Sequence, residues 1–277
     1  MIVGLIQPLV GEQKEENLNQ ILVQIESAVV EGQADLVILP ELWNTPFINE
    51  KILEHQKEWP FMMDALCHQA KELGVWSVAG SLPRKKDGHL YNTCAIIDAN
   101  GKIVAAPSKT HLLEVHTSKH TYRESDVFTP GNSLCKIRTP WGYLGVLICY
   151  DNRFCETYRL IAKDCFLIAA VCGFNEQVGK KHWKPLFQTR AMENQVFICA
   201  VNPAKADYGS YTSYGHSMVV SPDGQVMAEL GSETGNLIVE IDPRQVEKIR
   251  FRSPFWTIRR QDLTVETIEA TDTLETD

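Results

Sequence analysis

Several kinds of chemistry are missing from this chain of 277 residues. Its eight cysteines, at 67, 94, 135, 149, 155, 165, 172 and 199, form no Cys-x-x-Cys pair, and its eight histidines form no His-Glu-x-x-His. Zinc sites draw on closely spaced ligands of this kind, so no metal is expected. Five of the thiols fall in apolar or strand-like runs, which suits buried, reduced cysteines in a cytoplasmic protein better than a disulfide framework. No apolar run is long enough to span a bilayer, and no basic stretch precedes the apolar residues 2–6. Neither a membrane span nor a signal peptide is therefore expected. A Gly-x-Ser-x-Gly elbow is absent. So is any excess of basic residues: 35 acids face 27 bases, and six of those acids lie in residues 261–277, which hold no Lys or Arg. The remainder is nearly balanced, which argues against nucleic-acid binding. With no internal repeat or linker, the expectation is one domain over residues 1–262 and an acidic, mobile tail over 263–277.

What is present reads as a globular α/β chain, 44% hydrophobic and 22% charged. Residues 2–6, 35–39, 75–82, 91–98, 102–106, 134–138, 144–148, 166–171, 196–201, 218–220, 225–229 and 236–241 carry strand patterns. Helical spacing marks 14–31, 60–73, 155–163, 182–194 and 242–249. Hairpin signals at 98–101 and 221–224 break the alternation, so a mixed sheet is expected. The most informative junction is at 149. A wholly apolar strand, 144–148, stops at Cys149, and polar residues and a helical pattern follow at once. A thiol there sits at a strand's C-terminal end and a helix start, where ligands bind in open α/β sheets and where backbone N–H groups favour thiolate and oxyanion alike. Strand-end cysteines are more often simple packing residues, so the neighbours decide. Glu41 follows strand 35–39 across Pro40, and Lys109 follows strand 102–106. Base, cation and nucleophile, each leaving a strand end, are what amide hydrolysis requires.

Pro40-Glu41-Leu42-Trp43, Ser108-Lys109-Thr110-His111-Leu112 and the segment from Ile148 through Cys149, Tyr150, Asp151, Asn152 and Arg153 to Phe154 resemble the three signature segments of the nitrilase superfamily of carbon–nitrogen hydrolases. The likeness continues through residues 190–195 and 215–224 and spans essentially 1–262. Between Lys109 and Ser125 it is closest to the ω-amidase branch. The resemblance implies a four-layer α-β-β-α sandwich with two mixed sheets, a homodimer or higher homo-oligomer, and no cofactor. It also implies a catalytic Glu124 beside Glu41, Lys109 and Cys149. Cys149 would attack the amide carbon, Glu41 would shuttle the proton, and Lys109 with the Tyr150 N–H would hold the oxyanion.

The substrate implied is a small carboxylate-bearing amide such as 2-oxoglutaramate or 2-oxosuccinamate. Arg153 could bind its carboxylate, or pair internally with Asp151 or Glu156. Two departures from the family pattern bear on specificity: Cys155 replaces a frequent proline, and Val171-Cys172-Gly173-Phe174-Asn175 replaces a proline-containing segment. That loop is expected near the pocket, with Gly173 widening it and Phe174 touching substrate. Phe251, Phe255 and Trp256 are expected at a subunit interface. Rival readings are a nitrilase, a carbamoyl-amine hydrolase, a deaminated-glutathione amidase, a non-catalytic binding protein on the same fold, and a papain-like enzyme using His111, His182 or His216.

Overall fold

A computed structural model describes residues 1–116 and 121–267. The chain runs β1 (Ile2–Gln7), α1 (Lys14–Val30), β2 (Leu36–Ile38), α2 (Asn49–Glu54), α3 (Trp59–Leu73), β3 (Trp76–Lys86), β4 (His89–Ile97) and β5 (Ile103–Ala105). A small hairpin, β6 (Glu114–His116) and β7 (Thr121–Arg123), follows. Next come β8 (Cys135–Thr139), β9 (Gly142–Ile148), α4 (Cys155–Ile161), β10 (Cys165–Val171), α5 (Glu176–Asn194), β11 (Phe197–Val201), β12 (Met218–Val220) and β13 (Val226–Glu229). β14 (Gly235–Glu240), α6 (Arg244–Arg252) and α7 (Phe255–Ile258) close the described chain.

Two six-stranded sheets form, in the orders β14-β1-β2-β3-β4-β5 and β13-β12-β11-β10-β9-β8. Each has three parallel strands at its centre, β1-β2-β3 in one and β9-β10-β11 in the other, with antiparallel strands outside them. The apolar strands divide their side chains by the two-residue period. Leu36 and Ile38 join the core between the sheets, whereas Val37 and Leu39 join the cluster beneath α1 and α3. A strand buried on both faces has no polar side to show, which is why residues 35–39 and 144–148 are unbroken apolar runs. On the far side, Trp183, Phe187 and Ala191 of α5 and Tyr158 and Ile161 of α4 cover the second sheet. The layers are therefore α-β-β-α, as expected.

Three local differences have physical causes. The helix expected at 182–194 starts six residues earlier, at Glu176, where the Asn175 side chain accepts from the Val178 N–H at 2.9 Å. Gly179 and the charged pair Lys180 and Lys181 blur the apolar spacing of that first part. β3 and β4 extend further than their apolar cores because Asp87 and Gly88 both take positive φ, 50° and 82°, as a two-residue hairpin turn requires. Trp256 is half-buried against its own chain: its ring packs on the core that includes the second sheet, and its indole N–H donates to the Asn194 carbonyl at 3.1 Å. The tail expected to be mobile lies outside the described residues from 268 onward.

Candidate active site

Strand ends of both sheets meet at one buried cluster. Glu41 follows β2, and its backbone N–H donates to the carbonyl of Cys172, just beyond β10 in the other sheet. Lys109 is carried by the segment after β5, and Glu124 opens a single 3-10 turn after β7. Cys149 ends β9 and begins another 3-10 turn, Cys149–Arg153. Lys109 is fully buried and its Nζ donates to Glu41 Oε1 at 2.8 Å and to Glu124 Oε1 and Oε2 at 3.0 and 2.7 Å. The Leu113 N–H donates to Glu124 Oε2 at 2.7 Å.

Asn92, on β4, completes the cluster and was missed by pattern reading. Its Nδ2 donates to Glu41 Oε1 at 2.9 Å and to Glu124 Oε1 at 3.1 Å, and its carbonyl accepts the Lys109 N–H. The available signal was an asparagine, poor in β-propensity, inside a strongly apolar strand. Asp151 was also undervalued. It is buried and accepts from Thr110 Oγ1 at 2.6 Å, from the His111 N–H at 2.8 Å and from the Ile148 N–H at 3.2 Å. One carboxylate thereby fastens the nucleophile turn to the Lys109 segment.

Cys149 has φ +45°, in the left-handed region that non-glycine residues avoid. Such a conformation costs about 1–3 kcal/mol and persists only where its surroundings enforce it. Asn152 Nδ2 donates to the Cys149 carbonyl at 3.0 Å while Asn152 Oδ1 accepts from the Tyr158 hydroxyl at 2.6 Å. Arg190 closes the turn from α5, donating to the Asn152 and Arg153 carbonyls at 3.2 and 2.8 Å. Tyr150 is the second residue of the turn, so its N–H has no acceptor within it.

The electrostatics correct the expectation of a resting thiolate. Cys149 is 5% exposed, and burial followed by the Glu41 charge pushes its thiol well above the ordinary range, Lys109 opposing only in part. Glu41 is pushed up by burial and by Glu124, with Lys109 pulling the other way. Burial works against the Lys109 ammonium, but the Glu124 and Glu41 charges outweigh it and hold the lysine protonated. With Glu41, Glu124 and Lys109 ionised, the cluster carries one net negative charge. Moving the thiol proton to Glu41 leaves that total unchanged, so it avoids the cost of adding a buried charge. This arrangement can make a nucleophile on demand and offer a fixed cation to a developing oxyanion.

The rim is looser. Arg153 Nη1 lies 2.9 Å from His182 Nδ1 and its guanidinium lies over the Phe174 ring at 5.0 Å; no ion pair among the described residues includes it. The internal pair with Asp151 or Glu156 is not formed. Phe174 is 6% exposed and packs edge-on against Trp183 at 5.1 Å, placing it beneath Arg153. Tyr150 is half-buried and edge-on to Phe154. Gly173 borders Glu41 directly: a Cβ there would stand 3.0 Å from Glu41 Oε2, so the absent side chain leaves room beside the carboxylate. As for a histidine base, His111 binds Asp151, His182 meets Arg153 and His216 pairs with Glu229; none bonds Cys149 among the described residues.

Known proteins bear on this geometry. Residues 2–251 match the carbon–nitrogen hydrolase family. A Xenopus tropicalis protein, omega-amidase NIT2, is 37% identical over 264 residues, covering 94% of this chain and 95% of the relative. Human omega-amidase NIT2 is 34% identical with the same coverage. Saccharomyces cerevisiae Nit3, a member of branch 10 of the nitrilase superfamily, superposes with a TM-score of 0.85 at 32% identity, covering 94% of this chain and 96% of its own.

Proposed function

Because the chain belongs to the carbon–nitrogen hydrolase family, we propose that it is an ω-amidase-like enzyme that cleaves a small carboxylate-bearing amide through a Cys149 thioester. The observation that carries the reading is the buried lysine bonded to both glutamates beside a strained cysteine. Glu41 takes the Cys149 proton as sulfur attacks the amide carbon. Lys109 and the Tyr150 N–H stabilise the oxyanion. Protonated Glu41 then delivers its proton to the leaving nitrogen, and ammonia departs. Water, deprotonated by the same carboxylate, adds to the thioester; the acid leaves and the thiol is restored. Glu124 acts by holding Lys109.

For the substrate, the omega-amidase relatives and the cation at Arg153 point together to monoamides of 2-oxo dicarboxylic acids, such as 2-oxoglutaramate and 2-oxosuccinamate. Arg153 receives the distal carboxylate, supported from below by Phe174 and at its side by His182. A substrate without that carboxylate would leave a desolvated cation unpaired. Exposed Phe251, Phe255 and Ile258 supply a surface for a second copy, giving a homodimer or higher homo-oligomer. The free thiols suit a reducing, cytoplasmic compartment. Ammonia release from a panel of monoamides, nitriles and carbamoyl amines tests the reading. The 2-oxo acid monoamides should exceed acetamide in kcat/KM by roughly two orders of magnitude; nitriles or carbamoyl amines in the lead would overturn the substrate.

A further inference from the structure

A cavity of about 10 Å³ lies on the side of Glu41 lined by Thr45, Phe47, Gly173 and Tyr211. That is about the space one water needs. Its walls carry complementary unmet demands. Glu41 Oε1 accepts from Lys109 and Asn92, whereas buried Oε2 has no nitrogen or oxygen donor among the described residues and the Cys149 thiol is the carboxylate's only other donor neighbour. The Tyr211 hydroxyl accepts from the Phe47 N–H at 2.7 Å, and no described residue accepts its own proton. Thr45 Oγ1 has only a long contact of 3.5 Å to the Pro46 carbonyl. One carboxylate oxygen has room for a further donor, one hydroxyl lacks an acceptor, and both residues line the same small cavity.

We propose that one ordered water bridges Tyr211 and Glu41 there, and that Tyr211 acts through it as a positioning residue for the base. The proposal rests on the reading of Glu41 as that base. The water accepts from the Tyr211 O–H and donates one proton to Glu41 Oε2 and the other to Thr45 Oγ1, within the number of partners buried waters usually find. It fixes the carboxylate's orientation and favours its charged form against burial. Val10 and Tyr208, joined by a hydrogen bond from the Tyr208 hydroxyl to the Val10 carbonyl at 2.8 Å, stand between this cavity and an outer depression of about 670 Å³ that both also line.

Two measurements test this. In Tyr211→Phe, kcat/KM should fall roughly tenfold, the scale of one lost hydrogen bond. Its acidic limb should move to higher pH, since Lys109, Glu124 and Cys149, the charged and titratable groups beside Glu41, are untouched. A fall that is equal at every pH, with the limb in place, would mean that the hydroxyl only holds the Phe47 N–H, and the proposal would be wrong. Independently of any turnover, an atomic-resolution crystal structure should show water within hydrogen-bonding distance of both Tyr211 and Glu41. An empty cavity there would overturn the proposal while leaving the amidase reading intact.

Discussion

The buried cluster and the rim above it are built to different standards. Lys109 makes three hydrogen bonds to two carboxylates, Asn92 bridges the same two, and Asp151 ties the segments carrying Lys109 and Cys149 together. Arg153, by contrast, rests on one aromatic face and one imidazole, half exposed. The groups assigned to bond cleavage are fixed by several buried hydrogen bonds, whereas the group assigned to choosing a substrate is held by two contacts. Reaction chemistry tolerates little misplacement, and discrimination by a single ionic contact tolerates more. A family can therefore hold its chemistry fixed while its substrates drift.

Four experiments probe that contrast, the largest effect first. Cys149→Ala should lower ammonia release by at least roughly 10⁴-fold while still binding the amide; turnover near wild type would dismiss the thioester. Lys109→Met should lose roughly 10²–10³-fold in kcat, as expected when an oxyanion donor is removed. It should also lose about 3–5 kcal/mol of stability, because Glu41 and Glu124 are left facing each other without their cation. Urea titrations should show this deficit shrinking as pH falls and one carboxylate takes a proton. A wild-type melting curve would mean the cluster is less tightly coupled than its distances imply. Arg153→Ala should cost roughly 10²-fold in kcat/KM on 2-oxo acid monoamides, mostly in KM, and leave acetamide within about threefold. Equal losses on both would make Arg153 part of the scaffold. The smallest effect concerns thiol labelling near neutral pH. Burial and the Glu41 charge raise the Cys149 thiol, whereas Cys155 is exposed, so a general alkylating reagent read by peptide mass should modify Cys155 first.

Much of this site was readable before folding because strand ends announce themselves. An apolar run that stops just before Glu41 or at Cys149 says both that the strand is buried and that the next residue leaves it; Lys109 follows a shorter, half-exposed strand across Pro107 and Ser108. Glu124 carried no such mark. It opens an isolated 3-10 turn after a hairpin of three-residue strands, too short for any period, and only family likeness pointed to it. Asn92 was hidden for the opposite reason: in a strand, one polar residue reads as alternation, and the carboxylates that make it an interior contact lie 51 and 32 residues away in sequence. Charge was the least legible quantity. A helix start argues for thiolate, but burial and a nearby carboxylate argue harder, and neither can be weighed without coordinates.

The fit of Gly173 against Glu41 has an evolutionary consequence. Any side chain at 173 would press on the base, with only 3.0 Å between a Cβ and Oε2. A larger residue there has to be met by a shift of a few tenths of an ångström in the Glu41 carboxylate, although its loop borders the site. Arg153 and His182, which touch neither Glu41 nor Lys109, offer a lineage the easier route to a new substrate.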